Sequence, residues 1–457
     1  MSHPIPASIF RAYDIRGIYG ETLSDEWAYL IGRSIGSEVL AQGENRIAVA
    51  RDGRLSGPAL VKALADGVTS TGCDVVNVGV VPTPVLYFAT HYLDGLNSGV
   101  MLTGSHNPGN YNGFKILING VTLSGARIQS LRERINSGAL SDGKGSVSER
   151  EVLAAYESTF LQAHVLARPL KVVVDCGNGV TGVQAPQALA ALGCEVVPLF
   201  EKLDGTFPNH HPDPGDLDNL QDLIARVKEE SADLGLAFDG DGDRVGVVTP
   251  SGSVVYPDIL LMALAEDMIG RNPGARVIFD VKCTGSLFDV IRGAGGQPEM
   301  WRTGHSLIKA RMQETGALLA GEMSGHIFFA EQWFGFDDAL VAAARLLSIL
   351  SRHEGAADDF FARFPALCTT PEITLSVTDE NKFDIVQWLQ EKAELGEGRR
   401  CVIDGIRMDY DNGWGLCRAS NTSPKLVTRY EATDEVALAE IRQRFESAIE
   451  KAMAAIG

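Results

Sequence analysis

The stretch that most constrains the chemistry of this chain is Phe238-Asp239-Gly240-Asp241-Gly242-Asp243-Arg244. Three carboxylates at alternate positions, separated by glycines, let a tight loop turn several oxygens onto one point. An all-oxygen set without His or Cys selects Mg²⁺ or Ca²⁺ over zinc or copper. Counted from Asp239, an EF-hand needs Gly where Arg244 stands and Glu where Pro250 stands, so that loop is excluded. With only three carboxylates, a small cation sharing a phosphate oxygen as a further ligand fits best, and Mg²⁺ is the expected metal.

A second stretch, Thr103-Gly104-Ser105-His106-Asn107-Pro108, follows the apolar segment 98–102, so Ser105 is expected to stand exposed at a strand end. Serine there can accept a group covalently when a base or cation assists it, and His106 and Lys115 lie close in sequence. The G-x-S-x-G elbow of acyl-transfer hydrolases is missing. On its own the stretch reads equally well as an Asn-Pro turn. Arg418-Ala419-Ser420-Asn421-Thr422-Ser423-Pro424-Lys425 supplies a guanidinium fork, hydroxyls and an amide, the groups that cradle an oxyanion, though a plain polar turn has the same composition. In Gly321-Glu322-Met323-Ser324-Gly325-His326, a carboxylate and a hydroxyl two residues apart suit paired sugar hydroxyls, and His326 can move a proton.

Two glycine patterns compete with these. Gly177-Asn178-Gly179-Val180-Thr181-Gly182 matches G-x-G-x-x-G between a strand and a helix, with Glu201 where a ribose-binding acid would be. It supports a nicotinamide-dependent oxidoreductase but explains neither the Asp loop nor the Ser loop. Gly138, Gly143 and Lys144 nearly form a Walker A loop, yet Gly145 replaces the required Ser or Thr.

These loops need elements to hold them. Short β-branched runs at 45–50, 170–175 and 275–280 each lead into an amphipathic helical stretch, a pattern that implies parallel sheets with helical crossovers. Three times a strand ends in Asp and breaks into a turn: at Asp52, Asp175 and Asp280. Three times a second polar loop follows: at 103–106, 239–243 and 321–326. The arrangement reads as three diverged copies of one α/β unit. Boundaries fall near 150 and 252, segment 364–371 between two prolines reads as a linker, and the pattern beyond it is that of a small α+β domain. Ligands of open α/β sheets bind at the carboxyl ends of strands, so one shared central cleft is expected.

Composition narrows the partners. The 457 residues carry Asp+Glu 59 against Lys+Arg 40, a formal net charge of -19. Such a surface repels nucleic acid and anionic lipid, so an anionic substrate must be drawn in by a local cationic cluster. Seven scattered Cys without a C-x-x-C pair make neither a disulfide framework nor a zinc site. The N-terminus lacks a signal-peptide pattern, and no run of about 18 apolar residues occurs, so a cytoplasmic protein without membrane or nucleic-acid partners is expected.

Together, Tyr13-Asp14-Ile15-Arg16-Gly17, the TGSHNP, FDGDGDR and GEMSGH loops and RASNTSP at 418–424 resemble the α-D-phosphohexomutase family, most closely its bacterial phosphomannomutase/phosphoglucomutase branch. The resemblance implies three similar α/β domains with mixed sheets (1–150, 151–252, 253–365) and a C-terminal α+β domain (366–457) around a central cleft. It implies reversible interconversion of hexose 1-phosphate and hexose 6-phosphate, of mannose and glucose, through a phosphoserine at Ser105 and a 1,6-bisphosphate. Mg²⁺ would be held by Asp239, Asp241, Asp243 and an oxygen on Ser105, with glucose 1,6-bisphosphate as activator. Lys115 and His326 become the acid and base, with Arg16, His106 and Arg244 supporting charge. Arg418, Ser420, Asn421 and Thr422 would clamp the idle phosphate, and Glu322 and Ser324 the sugar hydroxyls. Lys282, Gly304, His305 and Tyr13 would face the sugar or its phosphate. A monomer acting on phosphosugars is the expectation. Gly242 and Met323 stand where the related glucosamine-phosphate mutases usually carry Ala and Gln. That activity, the oxidoreductase, and a non-catalytic cation- or sugar-binding protein are the alternatives.

Overall fold

A computed structural model describes residues 5–421 and 423–457. Its first three sheets repeat one topology. In the first, Arg46–Arg51 pairs in parallel with Asp74–Val80 and Gly99–Leu102, and Tyr111–Ile118 runs antiparallel to Gly99–Leu102. The second repeats this with Lys171–Asp175, Glu195–Leu199, Leu234–Phe238 and antiparallel Val245–Val248. The third does so with Arg276–Asp280, Gln297–Trp301, Leu319–Gly321 and antiparallel Ile327–Phe329. The sheets are therefore mixed, as the resemblance implies, where the strand–helix alternation alone implied parallel ones. After two crossovers the chain turns straight back in a hairpin, and each hairpin turn is one of the three polar loops: 103–110, 239–244 and 322–326.

The sequence explains the layers. Val172, Val173 and Val174 are all fully buried, as a strand covered by helices on both faces requires. The apolar helix Ala339–Ser351 is buried on nearly every side, which is why its sequence shows no polar face. It belongs to a continuous core that runs through all three units, from Val85 and Phe88 through Val174 and Leu236 to Phe279 and Leu347.

The last domain differs in both respects. Cys368–Thr369, Ile373–Ser376, Arg399–Cys401, Ile406–Tyr410, Gly413–Ala419 and Lys425–Ala432 form a wholly antiparallel sheet, with helices Lys382–Lys392 and Glu435–Ile456 packed on it around a separate core. Part of the segment expected to be a linker is thus a strand: Cys368 and Thr369 pair with Ala432 and Glu431. Among the described residues, no helix is long and apolar enough to cross a membrane.

Candidate active site

The three hairpin turns and the last domain converge on a cleft of about 550 Å³. On its floor, one oxygen of Asp239, Oδ1, accepts the backbone N–H groups of Gly242, Asp243 and Arg244 at 3.0–3.1 Å, which fixes the loop. Its other oxygen, Oδ2, accepts the Ser105 hydroxyl at 2.9 Å and Arg244 Nε at 3.2 Å. Asp241 Oδ2 accepts Thr83 Oγ1 at 2.5 Å and Lys115 Nζ at 2.7 Å, and Lys115 also bonds Asp243. All three carboxylates are fully buried.

Burial and mutual repulsion push Asp239 up to about 8. Asp241 Oδ1 is buried without a hydrogen-bond partner, Asp243 Oδ1 faces the His326 ring at 3.3 Å, and oxygens of the three side chains lie within 4.8 Å of one another. Carboxylate oxygens converging in a dry site are the donor set of a hard cation. The loop can hold a metal.

Ser105 is buried rather than exposed, because the Asp loop and the 212–216 turn close over it. Its backbone has φ +49°, a left-handed conformation costly for a residue with a Cβ, and its N–H donates to Thr103 Oγ1. His106 bonds Asp213 at 2.7 Å, and burial together with the Arg244 cation drives the imidazole down to about 4. It is therefore neutral, and offers a hydrogen bond rather than charge.

Arg16 is carried by strand Ile15–Ile18, which pairs with Tyr111–Ile118, and reaches Asn107 Oδ1 at 3.4 Å while pairing with Asp14. Across the cleft, Glu322 Oε1 accepts the Gly304 N–H at 2.5 Å, and its other oxygen lies 3.2 Å from His326 Nδ1. Ser324 Oγ is 2.9 Å from the same nitrogen, and His326 Nε2 is 3.3 Å from Asp243 Oδ1. Those two carboxylates raise His326 to about 10 against the opposing effect of burial, so it is protonated. His305 stacks on it with 5.6 Å between ring centroids. Lys282 Nζ bonds Glu372 at 2.6 Å, and Arg418 bonds Asp404 at 3.0 Å.

Ser420 Oγ accepts the N–H of Ser423 at 3.2 Å, and Asn421 donates to the hydroxyl of Tyr13. Thr422, expected in this loop, lies outside the described residues. Every other expected site residue lines the one cleft, apart from the three aspartates sealed into its floor.

Four family models match in order: the phosphoglucomutase/phosphomannomutase alpha/beta/alpha domains I, II and III at residues 7–142, 153–252 and 256–367, and the C-terminal domain at 372–448. The chain belongs to the phosphoglucomutase/phosphomannomutase family. It is 60% identical to a phosphomannomutase/phosphoglucomutase of Pseudomonas aeruginosa over 97% of this chain and 96% of that protein. A phosphoglucomutase of Neisseria gonorrhoeae is 49% identical over 98% of this chain and 97% of that protein. A solved phosphoglucomutase/phosphomannomutase family structure from Burkholderia thailandensis superposes with a TM-score of 0.94 at 49% identity, covering 99% of each chain.

The family's glycine-rich decoy at 177–182 is spoken for. Gly177 N–H goes to Asp175 Oδ1, Asn178 to Phe200 O, Gly179 to Cys176 O, and Val180 to Gly240 O. A Cβ at Gly182 would lie 1.9 Å from Glu201 O, so this glycine serves close backbone packing. With the amides of 177–180 and 182 bonded within the protein and the chain a member of the mutase family, the oxidoreductase alternative is not favoured. Sequence reasoning missed Asp213, whose oxygens take both His106 and Arg244, and Glu372, the partner of Lys282. For Asp213 a signal existed: the rigid Pro212-Asp213-Pro214 turn fixes an acid at a chosen point.

Proposed function

We infer that this protein is a phosphohexomutase that interconverts hexose 1-phosphate and hexose 6-phosphate, accepting glucose and mannose, with Ser105 as phosphoryl carrier. The observation that carries the reading is the Ser105 hydroxyl 2.9 Å from Asp239 Oδ2, inside a buried carboxylate set, with an oxyanion loop across the same cleft. We take residues 1–150, 151–252, 253–365 and 366–457 as four domains, each contributing one loop: Ser105, the Asp loop, the sugar loop and the phosphate loop.

Asp239, Asp241 and Asp243 would hold Mg²⁺ together with an oxygen on Ser105. The ion, when bound, offsets the charge that develops as a phosphoryl group transfers. In the forward half-reaction the phosphorus–oxygen bond to Ser105 breaks, and a new one forms to the free hydroxyl of the sugar phosphate. The proton of that hydroxyl passes to a base in the cleft. Lys115 and His326 both contact Asp243; held as cations there, they are placed to donate a proton, and either serves as the base only after giving its own proton up.

Arg16 and Arg244 supply fixed positive charge, and His106 a hydrogen bond, near the reacting phosphate. Arg418, Ser420, Asn421 and Thr422 hold the idle phosphate, while Glu322 and Ser324 take sugar hydroxyls. Lys282, Gly304, His305 and Tyr13 complete the wall. The 1,6-bisphosphate then turns over in the cleft and returns its other phosphoryl to Ser105, which is why glucose 1,6-bisphosphate is expected to activate.

A phosphorus NMR time course tests this, with Mg²⁺, a trace of glucose 1,6-bisphosphate, and glucose 1-phosphate or mannose 1-phosphate. Growth of 6-phosphate from both sugars is expected, together with its loss in Ser105→Ala. A folded, bisphosphate-supplied enzyme that converts neither sugar would overturn the reading.

A further inference from the structure

Beneath the Ser105 loop lies a cation that no motif announces. Arg54 follows the Asp52 turn at the end of strand Arg46–Arg51, is fully buried, and does not line the cleft. A guanidinium has five N–H donors, and here all five are used. Nε bonds Asp52 Oδ2, Nη1 the carbonyls of Pro108 and Tyr111, and Nη2 the carbonyls of Ser105 and Asn107, at 2.5–3.0 Å. Three carbonyls of one short loop, and that of Tyr111 where the next strand begins, therefore point inward at a single side chain.

The neighbours are cut to fit it. A Cβ at Gly104 would sit 2.4 Å from Arg54 Cζ. Asp52 Oδ2 also accepts Thr103 Oγ1, and that hydroxyl in turn accepts the N–H of Ser105. From the second domain, Phe207 covers the guanidinium at 5.1 Å, and Gly205 lies so close that a Cβ would meet Gly53 O at 2.4 Å.

We propose that Arg54 is a positioning residue for phosphoryl transfer, holding Ser105 in its left-handed backbone conformation with its oxygen aimed at the Asp loop. The proposal rests on Ser105 being the phosphoryl carrier. Arg54 cannot act on the reacting atoms directly, because every donor it has is committed elsewhere. Lysine cannot replace it: an ammonium has three donors and no fixed fork, so carbonyls of the loop would be left unpaired. The loop would then turn to find partners, and the Ser105 oxygen would leave Asp239.

The test compares wild type, Arg54→Lys and Asp52→Asn as full-length, Mg²⁺-supplied enzyme. Displacement of the nucleophile by an ångström costs about 100-fold, so kcat of Arg54→Lys should fall by about that much. KM for glucose 1-phosphate should stay within about twofold, because the phosphate loop belongs to another domain. Arg54→Gly should regain activity with guanidinium chloride added well below its denaturing range. A role confined to stability would lower Tm and leave kcat of the folded enzyme unchanged.

Folded Arg54→Lys with wild-type kcat overturns the proposal. If that variant does not fold, Asp52→Asn decides: a loss of about tenfold in kcat supports it, and wild-type kcat overturns it. Intact-mass detection of phosphoryl on wild-type Ser105 after incubation with glucose 1,6-bisphosphate separates the two readings. A wild type that never carries it overturns the assignment of Ser105 and this proposal together, whereas labelled wild type with an undiminished Arg54→Lys overturns this proposal alone.

Discussion

Gly240 and Ser105 meet backbone to backbone: a Cβ on Gly240 would stand 2.4 Å from the carbonyl oxygen of Ser105. The second glycine of the DGDGD loop instead has φ +80°, so the two glycines serve different ends, one proximity and the other a turn. Gly240→Ala should therefore push the two loops apart. We expect a fall in kcat of about 100-fold from misplacement of the nucleophile, with a stability loss of about 1–3 kcal/mol from overpacking. Gly270→Ala, in helix Pro257–Arg271 with open space around its would-be Cβ, is the control: it should leave kcat unchanged and raise stability by about 0.4–1 kcal/mol. Steady-state kinetics and thermal melts check the pair, and equal activities would refute the contact.

Metal removal should be visible in stability. Three fully buried carboxylates repel one another, and an ion that binds only the folded chain stabilises it by mass action. At 100 times its dissociation constant the gain is about 2.7 kcal/mol. Tm should rise with Mg²⁺ and fall on adding EDTA, while Asp241→Asn should need far more Mg²⁺ for the same rise. A wild-type melt insensitive to Mg²⁺ would refute binding to the folded chain, and an undiminished response in Asp241→Asn would place the ion elsewhere.

The parts of this site that were legible in the sequence are those written in one stretch of chain. Asp239, Asp241 and Asp243 are spaced so that the loop alone brings their oxygens together. Ser105 was legible as a residue but not in its burial, since what covers it comes from another domain: Gly240 and the turn after Pro212. Arg54 and Glu372 were not legible because their meaning lies in partners 51 and 90 positions away in sequence, Ser105 and Lys282; Asp213, 107 positions from His106, was marked only by its two flanking prolines. The repeated unit was visible as alternating strands and helices. Its antiparallel fourth strand came only with the resemblance, because strand–helix alternation does not mark a strand that returns by a hairpin. Nor does that alternation mark Cys368–Thr369, which read as linker.

The seam between the last two domains sets buried polar contacts beside a small apolar cluster of Val281, Trp414 and Leu416, where the first three domains share one large core. Glu431 Oε1 accepts Thr284 Oγ1 at 2.8 Å, the Gly285 N–H at 3.1 Å and Trp414 Nε1 at 2.7 Å. Arg407 Nη1 donates to the carbonyls of Val281 and Cys283, either side of Lys282. Glu431→Ala strands two buried donors, each costing about 1–3 kcal/mol, and the half-buried Gly285 N–H. We expect it to loosen the last domain, raise KM for glucose 1-phosphate, and speed hydrogen exchange in Lys425–Ala432. Unchanged exchange in that strand would show that the seam is held by other contacts.

His164 predicts an acid limit to stability that is independent of the active site. It follows helix Leu153–Ala163, is buried, and its Nδ1–H donates to Phe160 O at 2.7 Å, while Nε2 is buried without a partner. Its ring packs on Phe160 and Trp333, with Arg345 and Glu331 the charged groups nearby. Burial holds it down to about 4, against an ordinary value near 6.5. Between those values the unfolded chain binds a proton that the folded chain refuses, so stability falls as pH drops through this window and levels off below it. The loss attributable to this group is about 2 kcal/mol at pH 5 relative to pH 7. His164→Phe, which keeps a flat ring and removes the titration, should lose correspondingly less stability over the same interval. Urea denaturation at pH 7 and pH 5 measures it, and parallel losses in the two proteins would assign the acid sensitivity to other groups.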